Sequence, residues 1–467
     1  MLFNSYVFLF GFLPIVLAGW WGLCRRRQLR LAFLTGASWF FYAWWDWHYL
    51  PLLIGATSVD YVAGLLIAGS ENERRRRLLL AASLTTNIGI LAYFKFAGFF
   101  LGSLEGIGSA LGLGSALPAL HIVLPVGISF YTFNSMSYTI DIFRRRIEPT
   151  DNLLEYTTFV ALFPHLVAGP IVRFTDLADQ LRRLTPRLTS EDAARGAYFF
   201  SCGLVKKLLI ADQLNPYVAG LYGAHGHLGL VSGWAAAIGY SLQLYFDFSG
   251  YSDMAVGLAF LLGFRFPQNF NSPFKAVNIS DFWRRWHMSL SSWFRDYLFI
   301  PLGGSRRGAK RTVLNLGLTM FLVGLWHGAA WTFVVWGLVH GLFLGSHAVL
   351  RRAGWTPSSA TVNRTITFLL VCAAFVIFRS PSLGAAGDVL SSMAGLHGLD
   401  SSSQLAALVP LNFALLVAAL LVFVQTAPNT WQIRVRPLVW QGMATGVAAT
   451  IAVMTISQPH PFLYFQF

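Results

Sequence analysis

Apolar runs of bilayer-spanning length follow one another along almost the whole chain, and arginines crowd the short segments on one side of them. The runs fall at residues 5–23, 31–45, 49–69, 78–101, 122–143, 195–222, 228–263, 313–333, 334–350, 362–379, 405–426 and 437–457. A helix of about 20 apolar residues crosses the hydrocarbon layer. Inside that layer every backbone N–H and C=O has to be paired within the protein, so only helices and closed barrels span it. Runs of this length specify helices, and the expected fold is an all-α polytopic membrane protein. The runs at 31–45 and 334–350 are short enough to be tilted or re-entrant.

Composition and charge narrow the reading. The chain is 12% charged, whereas soluble domains carry about 25%. Its 467 residues would make two or three soluble domains; as a membrane bundle they read as one unit, 1–467. A net charge of +14 would suggest nucleic acid in a soluble protein, but its placement says otherwise. Of the 34 Lys and Arg, 22 lie in Arg25–Arg30, Arg74–Arg77, Arg144–Arg146, Arg182–Arg187, Arg306–Arg311, Arg351–Arg352 and Arg434–Arg436. Asp46–Tyr49, Gly102–His121, Ser380–Gln404 and Ser457–Phe467 contain none. By the positive-inside rule the basic set is cytoplasmic, with some contact to anionic membrane lipid. Counting spans from an outer N-terminus returns every basic loop to the cytoplasm and puts both termini outside. The N-terminus has no basic n-region and no cleavage site, so it reads as a retained first helix. Cys24, Cys202 and Cys372 show neither ligand nor redox spacing.

Two stretches depart from the pattern of simple spans. Phe163–Arg173, FPHLVAGPIVR, is too short and too interrupted by Pro and Gly to cross. Irregular backbone at that depth is tolerated only where protein buries it or it lines a cavity. Phe264–Gly304 is dense in charge and aromatics between apolar flanks. Apolar residues at 282, 286, 290, 293 and 297 keep a helical period across Asp281–Phe299, with Ser280 as N-cap. Such a helix either lies at the cytoplasmic interface with its arginines toward phosphates or dips inward and lines a tunnel. His287, of little use at an interface, favours the second.

The next apolar stretch, Phe321–Gly341, reads FLVGLWHGAAWTFVVWGLVHG and sets His327 among apolar and small residues. An ionisable side chain at membrane depth is costly and marks a functional site by default. Gly324, Gly328, Ala329 and Ala330 allow a helix or a thin acyl chain to approach, and Trp326 and Trp331 supply rigid walls. Apolar surroundings favour the neutral imidazole, which can take a proton from a hydroxyl or thiol. A histidine hydrogen-bonded inside the bundle is the plainer alternative. His340 and His347 lie seven residues apart, without acids or cysteines at ligand spacing. They read as packing or polar-network residues, and no metal site is expected. Asp247 and Asp253 need partners, with Arg173, Lys206 and Lys207 as candidates. The chain lacks G-x-S-x-G, P-loop, H-E-x-x-H and G-x-G-x-x-G motifs, which disfavours a self-contained serine esterase or an ATP-driven pump.

Five segments carry a resemblance: Leu124–Arg146, Phe163–Phe174, Tyr245–Phe264, Asn269–Gly308 and Gly324–Gly341. In order and in wording they resemble the membrane-bound O-acyltransferases, most of all the bacterial branch that O-acetylates alginate and cellulose or transfers D-alanine. The resemblance implies a ring of transmembrane and re-entrant helices around a central tunnel, in a bacterial inner membrane. It implies transfer of an acyl group from a cytoplasmic thioester, such as acetyl-CoA, toward a secreted exopolysaccharide. The family's catalytic histidine falls on His327, a second functional histidine on His287 and a third on His165. On that reading Arg284, Arg285 and Lys275 are candidates to hold the donor's phosphates. Periplasmic acetyltransferase or acceptor proteins are the implied partners. Acyl transfer to another polymer, a lipid or a protein stays open, as does a transporter or scaffold.

Overall fold

A computed structural model describes residues 1–112, 122–355, 359–456 and 462–463. Among the described residues the chain is helical and without strands. It divides into two compact units, one of residues 1–200, 254–267 and 436–442, the other of residues 201–253, 268–435 and 443–467. Among the described residues, four helical stretches are long and apolar enough to cross a membrane: Arg27–Ala68, Glu73–Ala110, Trp331–Arg352 and Ala360–Arg379. The bent pair Ser402–Leu408 and Leu411–Thr426 makes a fifth candidate. Of the outer segments expected at Gly102–His121 and Ser457–Phe467, residues 113–121 and all of the second but 462–463 fall outside the described residues.

The first unit opens with α1 (Leu13–Gly22), α2 (Arg27–Asp46), α3 (Leu50–Ala68), α4 (Glu73–Leu91) and α5 (Ala97–Ala110). It continues through α6 (Ile128–Phe143), α7 (Leu153–Ala161), α8 (Phe163–Leu166) and α9 (Phe174–Arg182) into the start of α10 (Ser190–Leu204). Asn72 begins α4 by accepting from the N–H groups of Arg74 and Arg75, which satisfies two of the donors a helix start leaves unpaired. Helix α6 is almost wholly buried although seven of its buried residues are Ser, Thr, Asn or Asp. Without water nearby, such groups must bond to one another. Asp60 of α3 accepts from Ser83 Oγ at 2.6 Å and from Asn87 Nδ2 at 2.8 Å, and Ser83 Oγ lies 3.1 Å from Thr139 Oγ1 of α6. Residues 161–172 are buried throughout, so protein shields the irregular backbone of Phe163–Arg173 as its sequence requires.

In the second unit a π-helical turn, Val205–Ala211, precedes α11 (Asp212–Gly223). The wider turn brings two consecutive lysines to buried acids. Lys206 Nζ lies 2.5 Å from Asp253 and 2.8 Å from Thr430 Oγ1, and Lys207 Nζ lies 2.8 Å from both Asp247 and Asp212. Lys206 and Lys207 are thus the partners of Asp253 and Asp247. Arg173, the third candidate, starts α9 in the first unit, its backbone N–H donating to Asp176. The long helix α12 (Leu230–Leu262) has its N-terminus held by a residue far along the chain. Asp400 accepts from the N–H groups of Gly229, Val231 and Ser232 at 2.8–3.1 Å, and from the Ser232 hydroxyl.

Candidate active site

The polar stretch after α12 folds as broken pieces, not as the single helix its periodicity predicts. Helix α13 (Ile279–Trp283) and helix α14 (Met288–Phe294) are separated at Arg284–His287, and a π-helical turn, Arg295–Phe299, follows. The break lies at His287, whose backbone is left-handed, with φ 43° and ψ 54°. That conformation costs a non-glycine residue on the order of 1–3 kcal/mol and ends a helix. The expected N-cap at Ser280 is also displaced: Asn278 caps α13, its side-chain oxygen accepting from Asp281 N–H at 2.8 Å. The apolar period survives the break because the short helices still pack on one side, with Phe282, Trp286, Leu290, Trp293 and Tyr297 buried.

A short backbone pairing holds His287 in this posture. Asn271 N–H donates to Arg285 O and Met288 N–H to Asn269 O, each at 2.9 Å. The Asn269 side chain ties the pieces together. Its Oδ1 accepts from Ser289 N–H at 3.3 Å and from the Ser289 hydroxyl at 2.8 Å, and its Nδ2 lies 3.1 Å from Ser252 Oγ on α12. The amide orientation is set by the Ser289 backbone N–H, which can only donate. His287 Nδ1, 3.1 Å from the same oxygen, therefore carries the proton, and its Nε2 holds the lone pair. Asn269 is a site residue that sequence reasoning missed. Its signal is the run NFNSPFK that opens Asn269–Gly308, one of the segments that carry the family resemblance.

His327 is the last residue of α15 (Gly308–His327). The helix was expected over 313–333, but the chain leaves it at Gly328 and is extended at Gly328 and Ala330 before α16 (Trp331–Arg352) begins. The two helices touch backbone to backbone. A Cβ at Gly324 would lie 2.3 Å from Phe333 O, and one at Gly337 would lie 2.4 Å from Met320 O. Only glycine fits at such distances, and the close approach fixes where α15 ends. His327 is 5% exposed and His287 0%. Their ring centroids are 6.5 Å apart. Trp326 at 5.1 Å, Trp336 at 5.2 Å and Phe378 of α17 (Ala360–Arg379) at 5.3 Å wall the His327 ring. Phe248 of α12 meets His287 edge-on at 4.7 Å.

The other candidates have different surroundings. His165, in α8, is fully buried in the first unit, with Asn134 Nδ2 3.2 Å from its Nδ1 and the Phe266 ring at 5.3 Å. Arg285 is held by Asp281 at 2.9 Å and by Asn271 O at 3.3 Å. Lys275 caps the carbonyl end of Leu411–Thr426, 2.6 Å from Ala427 O and 3.4 Å from Thr426 O. Arg284 is exposed, and no acid among the described residues pairs with it. No group of three or more His, Cys, Asp or Glu among the described residues could hold a metal ion. A close pair of buried histidines, one with its tautomer set by an amide, is suited to moving a proton where water is excluded.

Comparison with known proteins bears on the chain as a whole. The model of the membrane-bound O-acyltransferase family matches residues 2–383, a span that includes His165, His287 and His327. A probable alginate O-acetylase AlgI of Azotobacter vinelandii is 44% identical over 395 residues, 84% of this chain and 78% of that protein. A probable alginate O-acetylase AlgI of Pseudomonas putida is 40% identical over 100% of both chains. A peptidoglycan O-acetyltransferase of Helicobacter pylori is 37% identical over 85% of this chain and 81% of its own length. With its helical architecture and its buried histidines, the chain belongs to the membrane-bound O-acyltransferase family and is an O-acyltransferase.

Proposed function

We propose that the protein takes an acetyl group from a cytoplasmic thioester, acetyl-CoA, and delivers it across the bacterial inner membrane for O-acetylation of a secreted or cell-envelope polysaccharide. The observation that carries this reading is the buried His287–His327 pair, 6.5 Å between rings, in a chain whose relatives are named for alginate and peptidoglycan O-acetylation. His327 acts as the general base. It takes the proton from an acceptor hydroxyl as that oxygen bonds to the acyl carbon, the carbon–sulfur bond breaks, and the imidazolium returns the proton to the leaving thiolate. His287, with its proton on Nδ1 toward Asn269, orients the reacting groups through Nε2. Arg284, exposed and without an acidic partner among the described residues, is the first contact for the donor's phosphates, with Arg285 next to it and Lys275 earlier in the same polar stretch. The acetyl group passes to the polymer directly or through a periplasmic acetyltransferase partner.

The test is transfer from radiolabelled acetyl-CoA by the purified protein in lipid nanodiscs, with water and oligosaccharides as acceptors. Release or transfer of label by the wild type and its loss in His327→Ala are expected. A wild-type protein that leaves acetyl-CoA intact under every acceptor condition overturns the reading and favours a scaffold or transporter.

A further inference from the structure

Two neighbouring buried N–H donors, one of them on a ring that meets His327, have no acceptor among the described residues. Among the described residues neither Trp336 Nε1 nor His340 Nε2 has a hydrogen-bond partner. Trp336 is 1% exposed and His340 0%. They sit one turn apart on the same face of α16, with ring centroids 4.8 Å from each other. The Trp336 ring stands perpendicular to that of His327 at 5.2 Å.

The protonation of His340 follows from its other nitrogen. Trp283 Nε1–H donates to His340 Nδ1 at 3.3 Å. An indole nitrogen can only donate, so Nδ1 holds the lone pair and the proton of the neutral ring is on Nε2. Nε2 is therefore a donor, as Trp336 Nε1 is. A buried donor left unpaired keeps the full penalty of losing its water, and native proteins rarely keep one without a reason. Here there are two, adjacent, and the ring that carries one of them stands against His327. The aromatic faces around them offer only weak N–H contacts. An acceptor that arrives with the ligand resolves both.

We propose that Trp336 Nε1–H and His340 Nε2–H are the donors to the carbonyl oxygen of the acyl group, stabilising the negative charge it gains as the acceptor oxygen adds to the carbonyl carbon. This rests on the acyl-transfer reading above. The carbonyl oxygen is the one ligand atom that must lie near the base and whose charge grows during reaction. Fixed, water-excluded donors act most strongly on such an atom. Both are catalytic residues in this assignment, while Trp283 is a positioning residue that sets the tautomer of His340.

Four variants test it. Trp336→Phe keeps a ring and removes the donor. His340→Phe removes the donor, and His340→Gln returns an N–H close to the position of Nε2. Trp283→Phe releases the tautomer. Trp336→Phe and His340→Phe should each lower kcat about 10²–10³-fold with little change in KM for acetyl-CoA, and should unfold at or above the wild-type temperature. His340→Gln should recover part of the loss. A second readout does not need turnover: with His327→Ala protein and acetyl-CoA carrying ¹³C at the carbonyl, the bound carbonyl stretch should fall below its value in water. That shift should shrink when Trp336→Phe is added. Wild-type rates and an unchanged stretch in Trp336→Phe and His340→Phe overturn the donor pair alone. A wild-type protein that uses no acyl thioester overturns this assignment together with the reading beneath it.

Discussion

At the scale of single residues, the site sorts histidines by what holds them. His327 ends a helix among aromatic rings, whereas Asn269, itself tied to Ser289 and Ser252, fixes the proton of His287. His327→Ala should accumulate and insert normally, yet lose about 10²–10⁴ in rate, read as acetyl transfer per mole of folded protein. A variant that fails to accumulate would instead assign His327 to the fold. Asn269→Ala removes the acceptor that holds the His287 proton on Nδ1. Turnover should fall on the order of tenfold or more, and stability by about 1–3 kcal/mol through Ser289 and Ser252. An Asn269→Ala enzyme with wild-type kcat would separate His287 from catalysis. His327 was legible in the sequence because an ionisable group in an apolar run is conspicuous. Asn269 was not, since nothing local marks an amide whose partners are 17 and 20 residues away. The left-handed backbone of His287 was equally hidden, because the apolar period runs on across the break.

At the scale of elements, two devices place the site. The first is the backbone contact between α15 and α16. Gly324→Ala and Gly337→Ala should each cost about 1–3 kcal/mol from overpacking, measured by thermal unfolding in detergent. Alanine at Gly317, whose Cβ would meet nothing within 4 Å, should be near neutral. The second is the hold of Asp400 on the start of α12. Burial works to raise the pKa of this carboxyl, and bonds from the Ser232 hydroxyl and the Ser232, Gly229 and Val231 N–H groups outweigh it, leaving the pKa below the usual carboxylate value. A carboxyl so depressed adds stability that is present above its unfolded value and lost as pH falls through the folded one. Asp400→Asn should therefore be less stable than wild type at neutral pH, by about 1 kcal/mol, and the gap should close on acidification below the usual carboxylate range. A gap independent of pH would show that the amide replaces the carboxylate only in shape. The helical hairpin was legible as two apolar runs, but its turn was misplaced. The expected boundary fell after residue 333, yet the chain leaves α15 at Gly328 because the backbone contact fixes the helix end. The reach of Asp400 to α12 spans 168–171 residues and has no local signature.

At the scale of the whole molecule, charge distribution sets orientation. If the basic loops are cytoplasmic, as the positive-inside rule expects, a cysteine at position 310 should stay unlabelled by an impermeant reagent in intact cells and react after lysis. Labelling from outside would reverse the topology and the side from which the donor enters. The pairs formed by Lys206 and Lys207 with Asp253, Asp247 and Asp212 bring the start of α11 and two turns of α12 into one network. Lys207→Met would strand buried acids, a loss on the order of 3–5 kcal/mol, and should show as failure to accumulate. Helical class and family were readable from long apolar runs and motif order. The division into two compact units was not, because α10 and α12 each run through a boundary between them.

The glycine contact between α15 and α16 also bears on time. Backbones touching at Gly324 and Gly337 leave no gap through which one helix could slide or breathe without separating from the other. Amide hydrogens along both helices should then exchange with solvent only in rare, large openings, among the slowest in the protein. On the timescale of a catalytic cycle His327 should then stand still, and every encounter would depend on how other groups are brought to it.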